Sequence, residues 1–273
     1  MGLGGMLAVR AQCDSLDARK CVVRSTMIGG GRSNVFETYL SPLEYKGGEL
    51  RFVFETMRRT KLLGGKVSSQ NMIQAYGAYT KNISETAHSY AGMVDWTYAL
   101  HYRLNVANGF KILIGPNVNA AAGVVYNTRN SNNPAQAKAY ARIGASAMAI
   151  YKFHIRRYPL ALRYQADLPL VGAMFSPEYG ESYYEVFSVG NSKGTVRFAS
   201  LHNNPSIRQM LTLDFPIHST VMRAGYVCDI QQAKVNQLKS HSYSHDFMIG
   251  FVRNLYLLRG KNRIGMPEKV TPF

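Results

Sequence analysis

The chain has one tryptophan and three cysteines among its 273 residues, and its 16 acidic residues face 32 basic ones. Cys13, Cys21 and Cys228 are too few for a disulfide scaffold. A Cys13–Cys21 bridge can form in an oxidising compartment, but nothing in the sequence requires it. No run approaches eighteen consecutive apolar residues, which excludes a transmembrane helix. The scarcity of acid leaves a net charge of +16, which attracts anionic partners such as nucleic acid, anionic lipid or lipopolysaccharide. Nucleic acid is the poorest of these fits, because the basic residues are spread along the chain rather than gathered into a concentrated patch. Hydrophobic residues are plentiful at 46%, and tyrosine is abundant at 18. Such a chain can bury a core and is not disordered.

One stretch organises the reading. From His88 to Leu104, Tyr90, Gly92, Val94, Trp96, Tyr98, Leu100, Tyr102 and Leu104 fall on one phase, while Asp95, His101 and Arg103 fall on the other. A period of two over this length predicts one long strand with an apolar face and a mixed face. The pattern recurs over Lys20–Gly31, Leu50–Glu55, Asn71–Thr80, Phe110–Tyr126, Ala137–Tyr151, Leu160–Asp167, Ile207–Ile217, Met222–Gln231 and Phe247–Leu257. About ten strands result, several nearer the ~9–11 residues of a tilted membrane-spanning strand than the ~5–6 of a soluble one. The breaks between them alternate in length. Arg32–Gly47, Lys81–Ser89, Asn127–Gln136, Leu168–Pro205 and Ala233–His241 are long, Asn105–Asn108, Phe153–Arg157 and Ile217–Ser219 are short, and Thr60–Ser69 is intermediate. Short turns on one side and long loops on the other are the habit of outer-membrane barrels. The expected fold is therefore all-β, a transmembrane antiparallel up-and-down β-barrel of about 10 strands. Twelve are possible if YYEVFSVGNSKGTVRFASL, read as a hairpin turning at Asn191–Gly194, spans the membrane instead of projecting outside it.

In such a barrel the apolar phase faces lipid and the mixed phase fills the lumen, where arginine and aspartate can pair. The lumen-facing charged candidates are Asp95, His101, Arg103, Arg142, Arg163, Asp167, Arg208, Asp214, Arg223, Asp229 and Asp246. Phe36, Tyr39, Leu40, Pro42, Leu43 and Tyr45 are too apolar for a solvated loop and are expected to fold into the barrel mouth as a small plug. At the N-terminus, Val9 and Ala11 fit signal-peptidase cleavage before Gln12. The chain thus divides into a signal-peptide remnant (1–11), a periplasmic segment (12–19), the barrel (20–258) and a polar tail (259–273).

The segments SNVFETYLSPLEYKG from Ser33, LRFVFETMR from Leu50 and HSYSHDFMIGFVRNLYLL from His241 resemble a family of uncharacterised outer-membrane β-barrels of Bacteroidetes. The resemblance implies a barrel in the bacterial outer membrane and carries over no catalytic or binding residue. One departure is that the last strand ends near Leu258 and is followed by a tail in which Pro267 and Pro272 oppose strand formation.

Catalytic and metal motifs are weak. His241 and His245, four apart on a strand, stand about 13 Å from one another, too far for one ion. GGGRSN, Gly29 to Asn34, lacks the Lys-Ser/Thr ending of a phosphate loop and reads as a flexible strand end. Asp95, His101 and Ser146 share the inward phase, but Asp95 and His101 lie about 20 Å apart on one strand, so a triad would need partners from neighbouring strands. The expectation is an outer-membrane barrel with a structural or interaction role in the envelope, with no catalytic site, cofactor or metal. Its partners would be outer-membrane lipid, lipopolysaccharide and other envelope proteins, without nucleic acid. A narrow pore for small solutes is the first alternative, and an outer-membrane hydrolase acting on protein or lipid the second.

Overall fold

The computed structural model describes residues 21–156, 158–178, 180, 183, 194–217, 220–257 and 263–265. Its elements are β1 (Cys21–Glu37), β2 (Ser41–Arg59), β3 (Val67–Lys81), β4 (His88–Ala107), β5 (Phe110–Asn127), β6 (Ala135–Ile155) and β7 (Tyr158–Phe175). They are followed by β8 (Val196–Ser200), β9 (Ser206–Ile217), β10 (Thr220–Val235), β11 (Leu238–Leu257) and β12 (Arg263–Gly265). Each of β1–β7, β9, β10 and β11 pairs antiparallel with its neighbour, and β1 pairs with β11 from Cys21↔Tyr256 to Glu37↔Ser240. The sheet closes into a barrel of ten strands, which leaves no unpaired edge in hydrocarbon. Among the described residues no helix is long and apolar enough to cross a membrane.

Burial along the strands follows the sequence phase. In β4, Tyr90, Val94, Trp96, Tyr102 and Leu104 are exposed while Met93, Asp95, Thr97, Ala99 and His101 are buried. The exposed phase continues round the barrel through Leu50, Phe52, Ile73, Ile114, Val118, Ile143, Leu162, Leu211, Phe247 and Ile249. Aromatic contacts mark its two margins. Tyr79, Tyr90 and Tyr126 pack in series at one end, and Phe110, Tyr151 and Phe153 at the other. A belt of this kind around a closed barrel is a lipid-facing surface.

Several sequence expectations need correction. Arg32–Gly47 is no long loop: β1 runs to Glu37, β2 starts at Ser41, and three residues turn between them. Ala233–His241 shrinks to the pair Asn236–Gln237, both with positive φ (52° and 64°). Two such residues in sequence make the tight turn whose twist matches paired strands. GGGRSN lies inside β1 rather than at a flexible end. A Cβ on Gly29 or Gly31 would meet backbone oxygens of β11 at 1.9 and 1.8 Å, so these glycines let β1 close tightly on its neighbour.

The proposed hairpin at Asn191–Gly194 falls largely outside the described residues. Its end, β8, pairs with β7 above β9 on the same side. From Val171↔Ser200 to Asp167↔Arg208, four steps of β7 face eight of the other chain, so β8 and β9 act as one strand interrupted at Leu201–Pro205. The spanning strands are ten, not twelve. The N-terminal pieces 1–11 and 12–19 and most of the tail lie outside the described residues. At the end holding the start of β1, two residues separate β4 from β5, β6 from β7 and β9 from β10, and seven separate β2 from β3. The opposite end carries the longer connections 82–87 and 128–134, alongside the short turns 38–40 and 236–237. Short turns on the periplasmic side are the habit of such barrels, and by that habit the end holding the start of β1 is termed the periplasmic end.

Candidate functional site: the packed lumen

The inward side chains form layers along the barrel axis. At the periplasmic end Val23, Met57, Leu113, Met148, Ile150 and Val252 make an apolar floor. A polar layer stands on it. The Glu55 carboxylate accepts from Arg163 Nη1 and Nη2 (2.7 and 3.0 Å), Arg223 Nη1 (2.9 Å), Gln70 Nε2 (2.6 Å) and Ser25 Oγ (3.1 Å). Arg223 also grips Asp214 with Nε and Nη2 at 2.5 and 2.7 Å. Next comes a ring of Met27, Val53, Met72, Met210, Val227 and Met248. The unbranched methionines suit the irregular gaps left between charged layers.

A second polar layer lies above it, centred on Arg51. Its guanidinium donates to Asp246 (2.7 Å), Glu49 (2.6 Å), Gln74 (3.1 Å) and Asp229 (3.4 Å), and lies 4.4 Å from the Tyr76 ring centroid. Asp229 links onward to Arg208 Nε at 3.2 Å, and Arg208 holds Asp95 with both terminal nitrogens at 3.0 and 2.9 Å. Asn119 then accepts from Arg142 Nε and Nη2 at 3.1 and 2.8 Å. Toward the extracellular end Lys138 pairs with Glu37, and a small hollow of about 40 Å³ opens beside Tyr76, Met93 and Tyr140.

Of the charged lumen candidates, Asp95, His101, Arg142, Arg163, Asp167, Arg208, Arg223, Asp229 and Asp246 are buried in these layers. Asp214 is half-buried against Arg223, and Arg103 sits lower, donating to Gly65 O and Lys66 O of the β2–β3 turn. The list missed Glu49, Arg51 and Glu55, although the same alternation that exposes Leu50, Phe52 and Phe54 places them inward.

The plug expectation also changes. Phe36 belongs to β1, Pro42, Leu43 and Tyr45 belong to β2, and only Tyr39 and Leu40 occupy the turn. Tyr39 and Leu40 are buried with Val35, Val125 and Leu238. The segment is barrel wall whose tip covers the lumen, not a separate insert. Phe36 points outward and stacks on His241 at 5.2 Å.

The imagined Asp95–His101–Ser146 grouping is only half assembled. His101 Nε2 lies 2.9 Å from Ser146 Oγ, but Ser146 donates to Asp167 at 2.5 Å, while Asp95 is held by Arg208. The hydroxyl stands between imidazole and carboxylate, whereas nucleophilic activation needs the imidazole in the middle. His101 and Ser146 are both inaccessible to solvent.

A closed antiparallel barrel with a lipid-facing belt defines an outer-membrane β-barrel, and the molecule resides in the bacterial outer membrane. The chain belongs to the family described as protein of unknown function (DUF3316), which matches residues 3–262. No curated protein matches it. Among solved structures it resembles the transport unit of the autotransporter AIDA-I from Escherichia coli, at 11% identity and TM-score 0.50, covering 93% of this chain and 98% of that one. It also resembles the outer membrane protease OmpT from Escherichia coli, at 6% identity and TM-score 0.52, covering 89% and 99%. At such identities these likenesses show the fold alone.

Proposed function

We propose that this chain is a sealed outer-membrane barrel with a structural or interaction role in the envelope, working through its ends and outer face rather than conducting solute. The supporting observation is the filling of the lumen at mid-height. Each spanning strand contributes at least one inward side chain of 4% exposure or less: Met27, Val53, Met72, Ala99, Asn117, Ser146, Gln165, Thr212, Val227 and Met248. A water-filled path must touch its lining, and these residues touch none. About ten strands enclose a lumen that side chains can fill, and here arginine pairs and methionines fill it.

The distribution of charge supports lipopolysaccharide as a partner. The two polar layers hold five arginines (51, 142, 163, 208, 223) against seven carboxylates (49, 55, 95, 167, 214, 229, 246). Five against seven leaves these layers net acidic, so among the described residues the basic excess lies outside them. Arg32, Lys46 and Lys239 are exposed on the outward phase near the extracellular margin, where lipopolysaccharide phosphates sit. The Bacteroidetes origin suggested by the sequence segments belongs to this same reading.

The test is conductance of the purified, folded barrel in planar bilayers. A sealed lumen gives no unitary steps above the bare membrane. Steady steps that scale with added protein would overturn it in favour of a pore.

A further inference from the structure

Below the apolar floor, the inward phase of four strands ends in a cation. Arg59 follows Met57 on β2, Arg103 follows His101 on β4, Lys111 precedes Leu113 on β5, and Lys152 follows Ile150 on β6. All four are half-buried at the periplasmic mouth. Register brings them together. Arg103 faces Leu113, which places it diagonally from Lys111, and Lys111 faces Ile150, which places it diagonally from Lys152. Diagonal neighbours in a sheet stand about 7–8 Å apart, within reach of long side chains. Arg59 and His101 flank Ser68 of β3, so Arg59 approaches Arg103 across a single strand. The charges repel: Arg59 acts on Arg103, Lys111 and Lys152, and Lys111 on Lys152.

Among the described residues counter-charge is scarce around Arg59 and Lys111. Among the described residues neither Arg59, Arg103 nor Lys111 takes part in an ion pair, and Arg59 Nε is buried with no hydrogen-bond partner. Because the four cations point into the mouth and not outward, lipid headgroups are poorly placed to neutralise them.

Beside them stands a second feature. The β2–β3 turn reads KLLGGK and holds Leu62 and Leu63 at 53% and 68% exposure between exposed Lys61 and Lys66. Leu63 has φ 47°, a left-handed conformation that a leucine adopts at a cost. Arg103 fixes this knuckle by donating to Gly65 O and Lys66 O. Two water-exposed leucines on a strained turn, next to converging cations, match neither a simple inorganic anion nor a bare wall.

We propose that the periplasmic mouth docks an acidic peptide segment of a periplasmic protein, its carboxylates on Arg59 and Lys111 and its apolar side chains on Leu62 and Leu63. This deepens, and rests on, the reading of the barrel as an interaction protein. The test uses the full barrel in nanodiscs of zwitterionic lipid and the fluorescence anisotropy of a fluorescein-labelled Glu/Leu peptide. Saturable binding is expected, weakened at least tenfold in an Arg59→Gln/Lys111→Gln double variant and retained in Arg59→Lys/Lys111→Arg. An Arg58→Gln/Arg253→Gln variant, which removes outward cations at the same end, should bind within twofold of the parent. Equal loss in both glutamine variants would overturn the site, as net charge alone would then explain binding. A Glu/Ser peptide binding as tightly, or full displacement by millimolar inorganic phosphate, would overturn the peptide as occupant. Absence of any binding from a barrel that still conducts nothing overturns the docking site and leaves the sealed-barrel reading standing.

Discussion

At the scale of a residue, Arg51 is the clearest instance of charge made tolerable by its surroundings. It is fully buried, yet its guanidinium meets Glu49, Asp229, Asp246 and Gln74 and lies against Tyr76. Desolvating such a group is costly, and only near-complete pairing offsets it. Removing one partner is worse than replacing the set, because the others stay buried without compensation. Arg51→Ala leaves three carboxylates facing one another, and should destabilise the barrel by roughly 3–5 kcal/mol. Urea unfolding in lipid vesicles, read as loss of the heat-modifiable gel shift, measures this. A midpoint equal to that of the parent would mean the layer adds nothing to stability.

At the scale of an element, tight turns decide how strands register. Gln237 closes the β10–β11 turn at φ 64°, where a side chain costs about 1–2 kcal/mol. Its neighbour Asn236 tolerates that region better and donates to Ser176 O and Gly194 O, tying the turn to residues just after β7 and just before β8. Gln237→Gly should therefore stabilise by about 0.5–1 kcal/mol once glycine's greater unfolded freedom is subtracted. Equilibrium urea unfolding checks this, and a destabilised variant would show that the Gln237 side chain is needed. These turns also explain what could be read in advance. Strand existence and facing were legible, because a period of two survives wherever one side meets lipid and the other a packed lumen. Loop lengths were less so. Arg32–Gly47 looks like a loop since Pro42 and Gly47 imitate turns, yet β1 and β2 stay paired through it up to Glu37↔Ser41, with one register shift between Phe36 and Glu37 before the turn. The lumen network was visible only as a list of inward charges. That Arg208 takes Asp95 while Ser146 takes Asp167 depends on which strands face each other across the barrel, and periodicity holds no such information.

At the scale of the whole molecule, the belt fixes how the barrel sits. On β4 the outward phase runs from Tyr90 to Tyr102, with Trp96 midway between them. Twelve residues at about 3.3 Å each, on a strand tilted by about 40°, span about 30 Å, the thickness of a hydrocarbon core. Trp96 is then near the bilayer centre, unlike the interfacial site tryptophan usually prefers. The structure accounts for this. Its indole Nε1 donates to Asn71 Oδ1 at 2.7 Å, so the polar atom is satisfied by the neighbouring strand instead of by water. As the single tryptophan of the chain, Trp96 reports its own depth. Its fluorescence in vesicles should be quenched most by lipids brominated deep in their acyl chains and least by those brominated near the headgroup. The opposite order would shift the membrane plane along the barrel by about half its thickness and carry the periplasmic cations into lipid. Asn71→Leu, which removes the acceptor, should move the emission or the depth of quenching only if the indole relies on that hydrogen bond to remain in the apolar zone.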